Sequence, residues 1–331
     1  MIAGLYVFFF SIAITYLMIR ISPFLGNVDR PNSRRQSSSV TPTAGGIAIA
    51  GTWYIGIFYL LYIGSINSAL VKALLSGLIL VVVGLVDDIF EIKPGIRIVA
   101  QIISVSLALY FLGGLNSVDF GFTETRFSIL LTPLAFLGIL WMINLYNFMD
   151  GIDGFAAMET VFISLFFFLF AGASYNLLLL AAILGFLIWN WPKAKIYMGD
   201  TGSTLIGFTF GVLLIRYQNT GQLNLFTALI PISLFWFDAS LTLFRRWRNK
   251  EKLSVAHKKH AYQRLVQSGF SHQKVVLWSL MVNGILFALA WGAYTFPKFV
   301  LLFFGVALVL LYGITRWVDK RKAFEKKISG E

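Results

Sequence analysis

VKALLSGLILVVVGLVDD, residues 71–88, decides the fold. From Val71 to Val86 the stretch is apolar, and it ends directly in Asp87 and Asp88. A segment of this kind enters a bilayer as a helix, where unpaired carboxylates are costly and mark function by default. Adjacent carboxylates repel unless a cation neutralises them. A hard divalent cation with oxygen ligands fits, and Mg²⁺ takes one or two carboxylates together with substrate phosphates. An acidic turn closed by Lys93 or Arg97 is the simpler alternative. Three further carboxylates, Asp150, Asp153 and Asp200, also stand at the ends of apolar stretches.

The whole chain follows that pattern. Of its 331 residues 58% are hydrophobic and 13% charged, with a mean hydropathy of +0.77. Soluble domains are about one quarter charged. Eleven apolar segments follow one another, at residues 2–21, 45–64, 70–86, 97–113, 128–146, 155–172, 174–190, 202–217, 224–244, 275–296 and 298–315. The expected fold is therefore all-α, a polytopic membrane protein of about 11 transmembrane helices in one domain, residues 1–331. The first segment has no basic region ahead of it and no small-residue cleavage site, so it reads as a span. The chain has no cysteine, which excludes disulfides, thiolate metal sites and cysteine nucleophiles.

The net charge of +12 is unevenly placed. With spans alternating, one side holds the loops 22–44, 87–96, 147–154, 191–201 and 245–274 and the basic tail 316–331. That side carries 23 of the 27 Lys and Arg; only Lys72, Arg126, Arg216 and Lys298 lie opposite. The positive-inside rule makes the basic side cytoplasmic, with the N-terminus outside and the C-terminus inside. Topology and attraction to anionic headgroups of the lipid bilayer account for the charge, and no nucleic acid partner is implied. Asp87, Asp88, Asp150, Asp153 and Asp200 all fall on the cytoplasmic side, which favours one shared site. The tail from Arg316 reads as a solvated or lipid-surface helix.

Four more segments carry polar chemistry. In NLYNFMDGIDGFA, residues 144–156, Asn144, Asn147, Asp150 and Asp153 recur every third residue. That spacing keeps neighbours close on a helix, and amides with carboxylates suit a hydrated cation, a nucleotide or sugar hydroxyls. In WNWPKAKIYMGDTGST, residues 189–204, Asp200 opens a span whose free N–H groups favour anions; a simple N-cap is the alternative. In HKKHAYQRL, residues 257–265, His257, His260 and Arg264 share a helical face. With Lys258 they suit phosphate better than zinc, or form an ordinary basic loop. Asp238 lies inside a span two turns before Arg245 and reads as a functional acid, an ion pair or a capped polar pocket.

Taken in order, DRPNSRRQSSSVTPTAGG (29–46), the Asp87-Asp88 segment, NxxNxxDGIDG, YMGDTGS and the HxxHxYQ loop resemble the polyprenyl-phosphate N-acetylhexosamine-1-phosphate transferases. That family includes undecaprenyl-phosphate GlcNAc-1-phosphate transferase and phospho-MurNAc-pentapeptide translocase. The resemblance implies an acidic Mg²⁺ centre of Asp87, Asp88 and Asp200, with the metal on Asp88 and Asp200 and Mn²⁺ as a substitute. It implies a cleft lined by Asn147, Asp150 and Asp153, with Asp153 close to the chemistry. Asn190 matches an asparagine associated with nucleotide-sugar binding, and His260 a histidine that contacts the diphosphate. Asp29, Asn32 and Arg34 fall in the loop near the polyprenyl phosphate. The run His260-Ala261-Tyr262-Gln263 departs from the HxHH-type and three-histidine forms and looks more like the O-antigen branch, which uses UDP-N-acetylfucosamine, UDP-N-acetylquinovosamine or UDP-GlcNAc.

The implied reaction is UDP-HexNAc plus undecaprenyl phosphate giving undecaprenyl-diphospho-HexNAc plus UMP, at the cytoplasmic face of a bacterial inner membrane. His260, Lys258 and Arg264 are candidates for neutralising the approaching phosphates. Phospho-MurNAc-pentapeptide transfer is the nearest alternative. A transporter or flippase predicts polar groups along a path and inverted repeats, and the chain shows neither. A homodimer is among the assemblies open to such a protein.

Overall fold

The computed structural model describes residues 2–24, 28–29, 41–90, 92–253 and 255–325. Asn32 and Arg34 lie outside the described residues, and of Asp29 only the backbone is described. Each of the eleven apolar segments is helical. The helices are α1 (Ile2–Ile21), α2 (Gly45–Tyr62), α3 (Ser68–Leu75), α4 (Leu78–Phe90), α5 (Pro94–Leu112), α6 (Ser128–Met149) and α7 (Phe155–Ala171), then α8 (Ser174–Asn190), α9 (Gly199–Thr220), α10 (Leu225–Arg248), α11 (Ala261–Gln267), α12 (His272–Thr295) and α13 (Val300–Arg321). Two short antiparallel pairs decorate the loops, β1 (Val28–Asp29) with β2 (Thr41–Pro42) and β3 (Val118–Asp119) with β4 (Glu124–Thr125). The chain is an all-α polytopic membrane protein, and among the described residues 8 helical segments are long and apolar enough to cross a membrane when α3 and α4 are taken together.

The remaining three explain themselves physically. Helices α7 and α8 have 17 residues each, about 25 Å at 1.5 Å per residue. Helix α9 is long enough at 22 residues but rich in Gly, Ser and Thr. It is buried along almost its whole length, Gly199 to Gln218, between α4, α6 and α2. Shielded by protein on all sides, it needs no apolar face, and its small residues let neighbouring backbones approach closely.

One expectation changes. The third segment is one apolar stretch in sequence, yet it is two helices, α3 and α4, broken at Ser76-Gly77 where the chain presses against Phe208 and Tyr54. Of the tail from Arg316, expected as a solvated or lipid-surface helix, the described residues continue α13 to Arg321 with Val318 buried and Arg316, Lys320 and Arg321 exposed.

The ends of the bundle sort as the alternation predicts. At one end the 114–127, 171–173 and 218–224 turns meet: Asn219 donates to Gly114 O at 2.7 Å, Asn224 to Asp119 O at 2.6 Å and Gln222 to Ala171 O at 3.3 Å. At the other end Pro42 O accepts Tyr197 N at 2.7 Å, and the amides of Gly45 and Gly46 donate to Tyr197 O and Met198 O at 3.0 and 2.9 Å. This second end also gathers the C-terminus of α4 and the N-terminus of α9, and Gly84 packs against the Asp200–Thr201 backbone where they meet. A Cβ there would fall 2.7 Å from both Cα and N of Thr201. Gly84→Val is expected to destabilise by about 1–3 kcal/mol through overpacking, read as a lower thermal midpoint of the purified protein; an unchanged midpoint would refute this packing account.

Candidate active site

Helix α9 starts against Asp88. Asp88 Oδ1 accepts the Asp200 amide at 2.8 Å, and Oδ2 accepts the Thr201 amide at 3.2 Å and the Thr201 hydroxyl at 2.8 Å. The first amides of a helix have no partner of their own and form its positive end, so a carboxylate from α4 is a fitting cap. Gly199, at φ +68, makes the turn into the helix; a Cβ there would lie 2.6 Å from both Asp88 Oδ2 and Thr43 O. Both Asp88 oxygens are engaged by α9, whose second residue is Asp200, the residue expected to share a metal with Asp88.

Asp87 faces the other way. Its Oδ1 accepts the Ile92 amide at 2.9 Å. Its Oδ2 lies 2.8 Å from Arg97 Nη1, and Arg97 Nη2 lies 2.9 Å from Asp200 Oδ2. Asp200 Oδ1 accepts Asn147 Nδ2 at 2.8 Å, and the same amide lies 3.2 Å from Ser203 Oγ. Asn144 is one turn away, donating to Gln101 Oε1 at 2.9 Å. Two carboxylates from two helices thus converge on one guanidinium from a third. They sit at the polar end of a small recess, where Gln101 and Thr204 join them and Leu80 and Val83 form an apolar wall.

The 150–154 link forms an adjoining knot. Buried Asn190 accepts the Gly154 amide at 3.1 Å and donates to Ile196 O at 2.8 Å, so its amide braces two loops against each other. Asp153 Oδ2 accepts the Ala194 amide at 3.2 Å and lies 3.3 Å from His272 Nδ1. Asp150 is the residue that ends α6.

Between α10 and α11 the chain is held from within. Buried Asp238 accepts the Ala261 amide with both oxygens at 2.9 Å and the Thr242 hydroxyl at 3.1 Å, and so caps α11 rather than pairing with Arg245. His260 Nδ1 stands 3.9 Å from Asp238 Oδ1. The His260 ring stacks between Phe148 and Tyr262, and Tyr262 donates to Phe148 O at 3.0 Å. Phe148 is next to Asn147, so this loop packs on the same end of α6 as the carboxylate cluster. His257 accepts the Lys259 amide at Nδ1, 3.3 Å away. Burial first, then the His260 and Arg246 charges, push its imidazolium down to about 3, so it stays neutral. Arg264 is buried and turned to α13, donating to Asp319 Oδ1 at 2.6 Å and Lys322 O at 3.0 Å. Its Nη1 is held there, and its Nε donates to Lys259 O at 3.1 Å. The Lys258 carbonyl accepts Gln267 Nε2 at 2.7 Å.

The structure thus joins Asp87, Asp200 and Asn147 through Arg97 and the Asp200 carboxylate, with Asp88 behind them and His260 stacked on Phe148, the residue after Asn147. Sequence reasoning treated Arg97 only as a turn-capping cation, although its place at the start of the next helix after a paired acid was the available signal. It missed His272, which no local pattern ties to Asp153. It also missed the Glu159–Asn283 pair, 2.6 Å apart and buried between α7 and α12.

Comparison with known proteins adds independent findings. The model of glycosyl transferase family 4 matches residues 70–218. A probable undecaprenyl-phosphate N-acetylglucosaminyl 1-phosphate transferase of Bacillus subtilis (strain 168) is 30% identical over 297 residues, covering 84% of this chain and 80% of its own. The undecaprenyl-phosphate alpha-N-acetylglucosaminyl 1-phosphate transferases of Yersinia pestis and Escherichia coli (strain K12) are each 28% identical, covering 93% of this chain and 89% and 88% of theirs.

Two outcomes follow from the geometry alone. Asp88→Asn keeps the shape but loses the charge on the α9 amides, and is expected to cost about 1.5–3 kcal/mol, lowering the thermal midpoint; Asp200→Asn, whose backbone amide is unaffected, should lower it less. His257 has a pKa depressed below the ordinary 6.5. Its contribution to stability is complete above that value and is lost as pH falls toward 3, because the unfolded chain takes up the proton first. His257→Gln should therefore narrow the drop in melting temperature between neutral and acid pH, and an identical drop in both proteins would contradict the neutral assignment.

Proposed function

The chain belongs to the polyprenyl-phosphate N-acetylhexosamine-1-phosphate transferases of glycosyl transferase family 4, and we propose that it moves HexNAc-1-phosphate from a UDP-N-acetylhexosamine to undecaprenyl phosphate, releasing UMP. The convergence of Asp87 and Asp200 on Arg97, at the polar end of a recess with an apolar wall, carries this reading. A phosphate with an isoprenoid tail needs such a boundary between charge and hydrocarbon. The N-acetylglucosaminyl transfer that names the relatives makes UDP-GlcNAc the first donor to consider. The His260-Ala261-Tyr262-Gln263 run keeps the 6-deoxy donors of O-antigen synthesis beside it. The asymmetry of basic residues supports an active site on the cytoplasmic face of the inner membrane.

A divalent cation fits this donor set. Asp87 Oδ2 and Asp200 Oδ2 reach the same guanidinium, and among the described residues no group of three or more acidic, His or Cys side chains forms a protein cage. Mg²⁺ uses just such a pair together with phosphate oxygens. Asp87 and Asp200 would hold it, and when bound it neutralises the diphosphate and the departing UMP. Asp88 acts behind them, fixing the start of α9 and with it the Asp200 side chain.

The remaining steps belong to the chain's own residues. An oxygen of the lipid phosphate attacks the β-phosphorus of the donor. A P–O bond forms as the bond to the bridging oxygen of UMP breaks, and the electron pair leaves on UMP. The attacking monoester has its second pKa near 6 and needs no base at neutral pH, so Asp87 orients it. Arg97 provides a permanent, planar cation where two anions meet. Asn147 holds the second Asp200 oxygen in place. Asp150, Asp153 and Asn190 line or brace the donor side, and Lys258 and His260 face the diphosphate.

The test is UMP release by the purified protein in vesicles with undecaprenyl phosphate, Mg²⁺ and a panel of UDP-HexNAc donors. Release that needs the lipid, stops with chelator and returns with Mg²⁺ or Mn²⁺ is the expected result. Arg97→Gln and Asp200→Asn should each lower kcat by about 10²–10³-fold, the scale of losing one electrostatic partner of a transition state. Near-normal turnover in Asp200→Asn would overturn the cation assignment. UMP formed without lipid acceptor would replace direct attack by a covalent route.

A further inference from the structure

The segment after α13 closes on the loop that carries His257, Lys258 and His260. Inside that loop Arg246 is buried and donates to Lys252 O at 2.6 Å and Val255 O at 3.0 Å, while Glu251 pairs with both Arg246 at 3.2 Å and Lys259 at 2.7 Å. Outside it, Asp319 accepts Arg245 through two bonds, at 2.9 and 3.0 Å, and Arg264 at 2.6 Å. Two guanidiniums from α10 and α11 therefore share one carboxylate of α13. Five residues on, the Phe324 ring stands beneath three cations: Arg245 at 5.4 Å, Lys259 at 5.5 Å and Arg264 at 5.4 Å. Glu325 O accepts Lys259 Nζ at 2.8 Å.

Three cations brought to one ring repel each other. Two carboxylates, Asp319 on Arg245 and Arg264 and Glu251 on Lys259, and one aromatic face offset that repulsion. Lys259 is anchored on both sides, by Glu251 from the loop and by Phe324 and Glu325 from the tail. Lys258 precedes it and His260 follows it, so the backbone of both is fixed by the same anchor. Substitution of the ring by a small side chain leaves the repulsion and removes the aromatic part of the offset, and the 257–260 backbone loses its outer support.

We propose that Asp319 and Phe324 are positioning residues for phospho-sugar transfer, forming a C-terminal strap that sets Lys258 and His260 toward the donor diphosphate. This rests on the reading above, in which that loop faces the donor. Neither residue touches substrate; both act through Arg245, Lys259 and Arg264.

The experiment uses the full-length protein in vesicles with undecaprenyl phosphate, Mg²⁺ and UDP-GlcNAc, and compares Phe324→Ala, Phe324→Trp, Asp319→Asn and a chain lacking residues 326–331. Phe324→Ala should raise the donor KM about fivefold with kcat nearly unchanged, the scale of the lost cation–π contacts. Phe324→Trp should restore the KM, and removal of residues 326–331 should leave it unchanged. Limited trypsin digestion should cut the 250–259 segment faster in Phe324→Ala and Asp319→Asn than in wild type, at unchanged melting temperature for Phe324→Ala. Wild-type KM and wild-type digestion in Phe324→Ala would overturn the strap, as would a KM increase that Trp does not reverse. If the wild-type protein releases no UMP from any donor, the functional reading fails by itself, and the digestion rates still decide whether the strap holds the loop.

Discussion

The grip of Asp88 on the first amides of α9 is the contact on which the site depends. It is a charge-assisted bond to a helix end inside an otherwise apolar bundle, where unpaired amides and an unpaired carboxylate would each be costly. Neither partner is stable there without the other. Once made, the contact fixes where α9 begins, and Asp200, the second residue of α9, is fixed with it. Asp87 precedes Asp88 in α4, so the pair divides its work: one carboxylate turns inward to hold a helix, and its neighbour turns outward to Arg97.

The same device appears a second time. Asp238, within α10, takes the first amide of α11 with both oxygens, as Asp88 takes those of α9. In each case a buried acid of one helix determines where the next functional segment starts. His260 stands at the second junction and Asp200 at the first, and the end of α6 lies against both through Phe148 and Asn147. A rigid relation between the carboxylate cluster and the basic loop follows from two caps and one shared helix end.

How far this was legible in the sequence depends on the range of the interaction concerned. Each of the eleven apolar segments announced its helical character through apolar length, a local property. The gathering of Asp87, Asp88, Asp150, Asp153 and Asp200 at one end followed from alternation alone. The break at Gly77 was hidden, because it answers to Phe208 and Tyr54, far away in sequence. The division of labour between Asp87 and Asp88 was hidden too, because identical neighbours differ only in what each faces. Arg264 looked like a phosphate ligand by type and spacing, yet its partner Asp319 lies in a tail that read as solvated surface. His272 and Asp153 are 119 residues apart and share no pattern.

The character of α9 has a consequence for how the chain is made. Its Gly, Ser and Thr content suits a helix wrapped in protein, and the same content makes it a poor candidate for entering hydrocarbon by itself during synthesis. It must be carried into the bilayer by more apolar companions, and α4 and α6, which flank it in the finished bundle, are already synthesised when it emerges. The cluster of Asp87, Arg97 and Asp200 is thereby completed only once α9 occupies the interior of the bundle. The order of synthesis follows the chain: the helices bearing Asp87, Arg97 and Asn147 precede the helix bearing Asp200, and the helix with Asp238 and the loop with His260 follow it.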